Sequence, residues 1–265
     1  MMDYKLIKVE KKGHLTIVTI NRPDVRNAVN PPTSIEMQDA FEEFNNDPNA
    51  WVAILTGTGE KAFSAGNDLK YDALTPPKEA REARSKVKYG MGGLTHNYLI
   101  KKPLIAAVNG FAFGGGFEMA LACDIIIASD KATFRLPEPL VGRIPAGGGI
   151  VRIVRQMPFH VAMDVLLSAR RLSAQEALHY GIVSRVVPHD QLMQEAEKVA
   201  QDIMQCSPLG IMSIKEMALD GLEMPLREAN VPQKFPLFLK FYQSKDYIEG
   251  PKAFTEKRKP NWSNP

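Results

Sequence analysis

Leu15-Thr-Ile-Val-Thr-Ile20 alternates apolar and β-branched residues and stops at Asn21-Arg-Pro23, which predicts a strand closed by a turn. Met37, Ala40, Phe41 and Phe44 then recur at helical spacing, with Ser34 as the expected N-cap and Asp47-Pro48 as the stop. Trp51-Val-Ala-Ile-Leu55, closed by Thr56-Gly-Thr-Gly59, predicts the next strand. The opening therefore reads β-α-β and implies a parallel or mixed sheet. Residues 71–100 are charged and then glycine-rich at Gly90-Met-Gly-Gly93, a pattern expected of a helix and a mobile loop.

Pro103-Leu-Ile-Ala-Ala-Val108 predicts another buried strand, running into Asn109-Gly-Phe-Ala-Phe-Gly-Gly-Gly116 and a helix from near Phe117. Asp124-Ile-Ile-Ile-Ala128 and Ala132-Thr-Phe-Arg135 return as strands. From about residue 145 helices dominate. Ser173-x-x-Glu176 forms a capping box, Ser207-Pro208 an N-cap with proline at the first helical position, and Ile182 to Val187 is the only late strand expected. The expected organisation is an α/β core over residues 1–200 and a C-terminal helical region over 201–265, with no repeat of fixed period.

Composition adds limits rather than an identity. The 265 residues suffice for a large core, and 45% hydrophobic with 24% charged residues is ordinary for a folded, water-soluble protein. A net charge of +3 is too small to argue for nucleic acid, although Lys252-Ala-Phe-Thr-Glu-Lys-Arg-Lys259 is locally basic and suits a polyanionic small molecule equally well. Cys123 and Cys206 alone do not make a disulfide framework. With no signal-peptide pattern and no apolar run reaching about 18 residues, a cytoplasmic protein off the membrane is expected.

Two glycine-bearing turns are candidates for chemistry, Ala62-Phe-Ser-Ala-Gly-Asn-Asp-Leu69 and Phe113-Gly-Gly-Gly-Phe-Glu118. Glycines between a strand and a helix let a substrate approach backbone N–H groups, which suits an oxyanion; spacing alone fits a tight connection equally well. Glu118 falls in the first helical turn, where a carboxylate is favoured by the helix dipole without any further task. Glu138, in the proline-stiffened Leu136-Pro-Glu-Pro139, lies on a neighbouring connection, and two such carboxylates serve as general acid and base on one water when they are close. Phosphate-loop, dinucleotide and nucleophile-elbow motifs are absent, and the five histidines show neither i, i+4 pairing nor Cys-x-x-Cys company, so no metal is expected.

Taken together, these residues resemble the enoyl-CoA hydratase/isomerase (crotonase) superfamily over nearly the whole chain. The resemblance rests on Asn21-Arg-Pro23 with Arg26-Asn-Ala28, Phe63-Ser-Ala-Gly-Asn-Asp-Leu69, Lys102-Pro-Leu-Ile-Ala-Ala-Val-Asn-Gly110, Phe113-Gly-Gly-Gly-Phe-Glu118, Pro137-Glu138 with Gly142, Ile144-Pro145 and Gly147-Gly148, Arg171-Leu-Ser-Ala-Gln-Glu-Ala177, and Phe254-x-x-Lys-Arg258. Within it, Ala112-Phe-Gly-Gly-Gly-Phe-Glu-Met-Ala-Leu121, Leu136-Pro-Glu138, Glu223-Met-Pro225 and the segment from Ile248 to Arg258 are similar to the carnitinyl-CoA dehydratase (crotonobetainyl-CoA hydratase) subfamily.

The resemblance implies a crotonase (ClpP-like) α/β spiral of ββα units with a C-terminal helical trimerisation region, assembling as a homotrimer or dimer of trimers. It implies an oxyanion hole from the N–H groups of Asn67 and Gly115, beside Gly114, and a hydratase pair Glu118 and Glu138 acting on an acyl-CoA thioester. Coenzyme A is then part of the substrate and no separate cofactor is expected. Its adenine would lie by Ala65 and Gly66 with Asp68 adjacent, its pantetheine and phosphates by Arg26, Ala28 and Lys70, with Phe254 and Lys257 reaching in from an adjacent subunit.

An enoyl-CoA isomerase, needing one base and no water, and a non-catalytic RNA-binding homologue are the alternatives. Arg135 departs from the family's small or apolar residue. Facing the acyl pocket it would disfavour a trimethylammonium group and suit a neutral or carboxylate-bearing acyl chain; otherwise it pairs with Glu138 or another acid.

Overall fold

Three long strands of the chain are each followed almost at once by a short one that leaves for a second sheet, and a helix then returns the chain. In the computed structural model, which describes residues 4–263, the strands are β1 (Ile7–Lys12), β2 (Leu15–Ile20), β3 (Val52–Gly57), β4 (Ala62–Ser64), β5 (Leu104–Val108), β6 (Phe111–Phe113), β7 (Ile125–Ser129), β8 (Thr133–Arg135), β9 (Leu172–Ser173) and β10 (Arg185–Val187). The larger sheet has the order β1-β2-β3-β5-β7-β10 and the smaller β4-β6-β8-β9. Only β1 with β2 and β8 with β9 pair antiparallel; every other pairing is parallel. The pairs β3/β4, β5/β6 and β7/β8 are thus three turns of a spiral of ββα units.

The helices are α1 (Pro31–Asn46), α2 (Leu69–Leu74), α3 (Pro77–Ser85), α4 (Gly115–Leu121), α5 (Gly149–Gln156), α6 (Phe159–Ser168), α7 (Ala174–His179), α8 (Leu192–Met204), α9 (Pro208–Gly221), α10 (Leu226–Ala229), α11 (Pro236–Tyr242) and α12 (Lys245–Thr255). Strand alternation sorts the core into two layers. Val18 and Ile20 face a main cluster with Phe41, Phe44, Phe63, Phe117 and Phe134. Leu15, Ile17, Ile54, Ile105 and Ile127 face a second cluster that α8 closes with Leu192, Ala196, Val199 and Ala200. The expected boundary at 200/201 lies within α8, and residues 1–3 and 264–265 of the two expected segments lie outside the described residues.

Several expectations shift. Helix α1 starts three residues before Ser34, because Asn30 caps it through Thr33 N–H at 3.0 Å and Pro31 takes the first helical position; Ser34 instead accepts from Gly92 N–H. Residues 71–100 carry α2, α3 and a 3-10 turn at Met91–Gly93 rather than one helix and a loop. Strand β10 begins only at Arg185, and β9 is a second late strand. Strand β1 escaped the sequence reading because Ile7-Lys-Val-Glu-Lys-Lys12 edges the sheet and is largely charged. The three-residue strands are too short to show a period.

Candidate active site

The strands β4, β6 and β8 are parallel neighbours, so their C-terminal ends emerge side by side, about 4.8 Å apart per strand. The segments that leave them are 65–68, 114–118 and 136–138, which carry the residues singled out by sequence. The first is held in place by residues 26–29. Ala65 N–H donates to Arg26 O at 3.0 Å, Val29 N–H to Gly66 O at 2.7 Å and Asp68 N–H to Val29 O at 3.1 Å. Gly66 has φ 81°, and a Cβ there would lie 2.5 Å from Phe113 O and 2.8 Å from Gly115 N, so glycine is required for these two loops to touch. The second segment is joined to the third, since Gly114 N–H donates to Arg135 O at 2.8 Å. No hydrogen bond among the described residues engages the N–H of Asn67 or of Gly115.

Glu118 enters with the first turn of α4 and is 4% exposed. Burial raises its proton affinity, while the amides of Gly149 and Gly147 and the charges of Arg152 and His96 pull it back; Gly149 N–H donates to Oε1 at 2.8 Å. Glu138 begins the 3-10 turn after β8, where burial, with the Glu118 charge as a further cause, pushes its carboxyl up to about 7. Its Oε2 is buried without a hydrogen-bond partner among the described residues. A Cβ on Gly114 would sit 2.9 Å from Glu138 Oε1, and one on Gly147 would sit 2.5 Å from Glu118 Oε2. Glycines therefore clear the space around both carboxyl groups. Such a site holds two acids of raised proton affinity beside two free backbone donors, the parts needed to protonate, deprotonate and stabilise an oxyanion.

The remaining expected positions fall into three groups. Ala28, Ala65 and Gly66 lie on the ladder between residues 26–29 and 65–68, with Arg26 exposed at its start and Lys70 exposed on α2. Asp68 is occupied structurally: it pairs with Arg22 at 2.9 Å and caps α2 through Tyr71 N–H at 3.0 Å. Phe254, 86% exposed, and Lys257 stand at the end of α12, which packs on α11 and is tied to Ser207 and Ser263 through Asp246. Arg135 does not make the acid pairing that is one of its two expected roles. Its Nε donates to the carbonyl of Ala169, at the C-terminus of α6, and it makes no ion pair with an acid among the described residues.

Sequence reasoning missed Asp72 and Arg143. Asp72 accepts from Asn67 Nδ2 at 2.7 Å and pairs with Arg143 Nη1 at 3.1 Å, while Arg143 N–H donates to Glu138 O at 2.9 Å. One carboxylate thus ties the Asn67 loop to the Glu138 turn. Nothing in the charged run 71–84 marks it out, because the link is made only by folding.

The enoyl-CoA hydratase/isomerase profile matches residues 10–265. The chain belongs to this family. It is 42% identical over 262 residues to the carnitinyl-CoA dehydratase of Escherichia coli K12, covering 97% of each chain. To the carnitinyl-CoA dehydratase of Salmonella typhi it is 41% identical, with the same coverage. Among solved structures of the family, enoyl-CoA hydratase from Bacillus anthracis superposes with a TM-score of 0.91 at 34% identity, covering 98% of this chain and 100% of that one. The enoyl-CoA hydratase of Mycobacterium tuberculosis gives 0.89 at 33% identity, covering 98% and 99%. The fold is the crotonase fold that the sequence motifs implied.

Proposed function

We propose that the protein adds water across, or removes it from, the α,β double bond of an acyl-CoA thioester. The observation that carries this reading is the pair of buried acids, Glu118 and Glu138, set by glycines beside the unengaged N–H groups of Asn67 and Gly115. An isomerase needs only one of these acids. The names of the relatives, carnitinyl-CoA dehydratase and enoyl-CoA hydratase, support the same chemistry.

In the hydration direction Glu118, whose carboxylate accepts from the Gly149 amide, takes a proton from water as its oxygen bonds to Cβ. The double-bond electrons move to Cα and the thioester oxygen, where the Asn67 and Gly115 amides stabilise the enolate. Losing one such donor costs about 2.7–4 kcal/mol of barrier. Glu138, pushed up to about 7 and so mostly protonated below that pH, delivers its proton to Cα. The coenzyme lies along Arg26, Ala28, Ala65, Gly66 and Lys70, with Phe254 and Lys257 supplied by an adjacent subunit of a homotrimer or dimer of trimers in the cytoplasm. No separate cofactor takes part.

A steady-state screen against enoyl-CoA thioesters, following loss of the conjugated thioester absorbance, tests the reading. Turnover of at least one thioester is expected, and a panel that is inert throughout refutes the hydratase assignment.

A further inference from the structure

Beside the candidate active site lies a cavity of about 360 Å³, walled by Asp72, Thr75, Ala80, Arg81, Arg84 and Arg143 among others. Three arginines and one carboxylate line it. Asp72 pairs with Arg84 Nη2 at 2.5 Å and Arg143 Nη1 at 3.1 Å, and against the cost of burial the Asn67 amide, Arg143 and Arg84 hold it below the usual carboxylate range. Arg81 has no ion-pair partner among the described residues. Each guanidinium carries five N–H donors in a planar fork, so the donors left over on Arg84 and Arg143, half-exposed at 54% and 50%, remain open to a second carboxylate.

Two residues of its lining are bonded to the catalytic segments. Asp72 accepts from the side chain of Asn67, and Arg143 N–H donates to the carbonyl of Glu138. On the acyl-CoA reading, an acyl chain leaving the reacting carbons between these segments would have this cavity beside it. Lys70, placed with the coenzyme, is two residues before Asp72 on α2, hence about 200° around the helix. The arginine-lined cavity and the coenzyme phosphates therefore belong to opposite sides of α2.

We infer that this cavity receives a carboxylate at the far end of the substrate's acyl group, selecting thioesters with an anionic terminus over neutral ones and rejecting cationic ones. The inference rests on the acyl-CoA reading above and assigns its substrate class. It also moves anion recognition from Arg135, which is bound to Ala169, to Arg81, Arg84 and Arg143.

The test is calorimetric binding of unreactive saturated ligands to the full-length protein: glutaryl-CoA, valeryl-CoA, 4-trimethylammoniobutyryl-CoA and coenzyme A alone, for wild type, Arg81→Gln and Arg84→Gln. Wild type is expected to bind glutaryl-CoA at least tenfold more tightly than valeryl-CoA, with the trimethylammonio thioester weakest. Each substitution is expected to bring the glutaryl-to-valeryl ratio towards one while the valeryl-to-coenzyme ratio stays as it was. Equal wild-type affinity for glutaryl and valeryl thioesters, or preference for the cation, overturns the inference. An equal loss for glutaryl-CoA and free coenzyme A also overturns it, since the arginines then serve a coenzyme phosphate. Because no ligand reacts, a retained anionic preference in a protein that fails the enoyl-CoA screen would sink the hydratase reading alone.

Discussion

Glu118 and Glu138 are the same residue type under different local forces. Burial raises the proton affinity of both, but Glu118 has two backbone amides aimed at its charge, whereas Glu138 has a like charge adding to burial and its Oε2 left without a partner among the described residues. Their proton affinities are therefore set by surroundings that neither sequence window displays. For Glu138 the sign is fixed: its folded value of about 7 lies above the ordinary 4.5, so the folded state holds its proton more tightly than the unfolded chain. Folding is unpenalised below about 4.5 and progressively penalised as pH rises to about 7, beyond which the penalty is full, on the order of 3 kcal/mol. Glu138→Gln is accordingly expected to raise Tm at pH 8 and to change it little at pH 4. Wild-type hydration kcat/KM is expected to fall as pH rises through about 7, with that limb absent from the variant's residual rate. Thermal melts and pH profiles check both, and equal Tm shifts at the two pH values would contradict the assignment.

Residues outside a motif were least legible. Asp72, Arg84 and Arg143 look like members of a solvated charged face until folding gathers them, and Arg135 was misread because the carbonyl that binds it lies 34 positions away.

At the scale of elements, the spiral explains why the site exists. Short strands β4, β6 and β8 end together, and each end opens into a segment of different chemistry: a glycine turn, a helix N-terminus and a proline-stiffened turn. The long strands β2, β3, β5 and β7 and the capping box at Ser173 are readable because burial favours apolar and β-branched residues along a strand and capping demands particular side chains. The start of α1 was misplaced because Asn30, Thr33 and Ser34 all have cap chemistry, and only the Asn30 contact to Thr33 N–H decides among them. Contact between the first two strand-end loops depends on Gly66. Gly66→Ala forces a side chain into positive φ and against Phe113 O, so Asn67 and Gly115 must separate. A fall in kcat of at least tenfold is expected with the far-UV circular dichroism spectrum retained; unchanged kcat in a folded variant would show that the spacing of these loops is not critical.

At the scale of the molecule, the isolated chain leaves large apolar side chains bare, among them Leu140, Ile144, Leu167, Leu222, Leu226 and Phe254, each more than 60% exposed. Exposed apolar surface of this kind supports the proposed trimer or dimer of trimers, in which copies would cover it. Sedimentation equilibrium is expected to give three or six times the chain mass, and a monomer at micromolar concentration would contradict the assembly.

The central claim, that two acids under two backbone donors add water to an enoyl thioester, is tested most directly by turnover in water enriched in heavy oxygen with mass spectrometry of the thioester product. A hydroxyacyl-CoA carrying one heavy oxygen on its acyl chain is predicted, and its formation should fall at least a hundredfold in Glu118→Gln and in Glu138→Gln. A product with a shifted double bond and no added oxygen, or full hydration by either variant, would contradict the account.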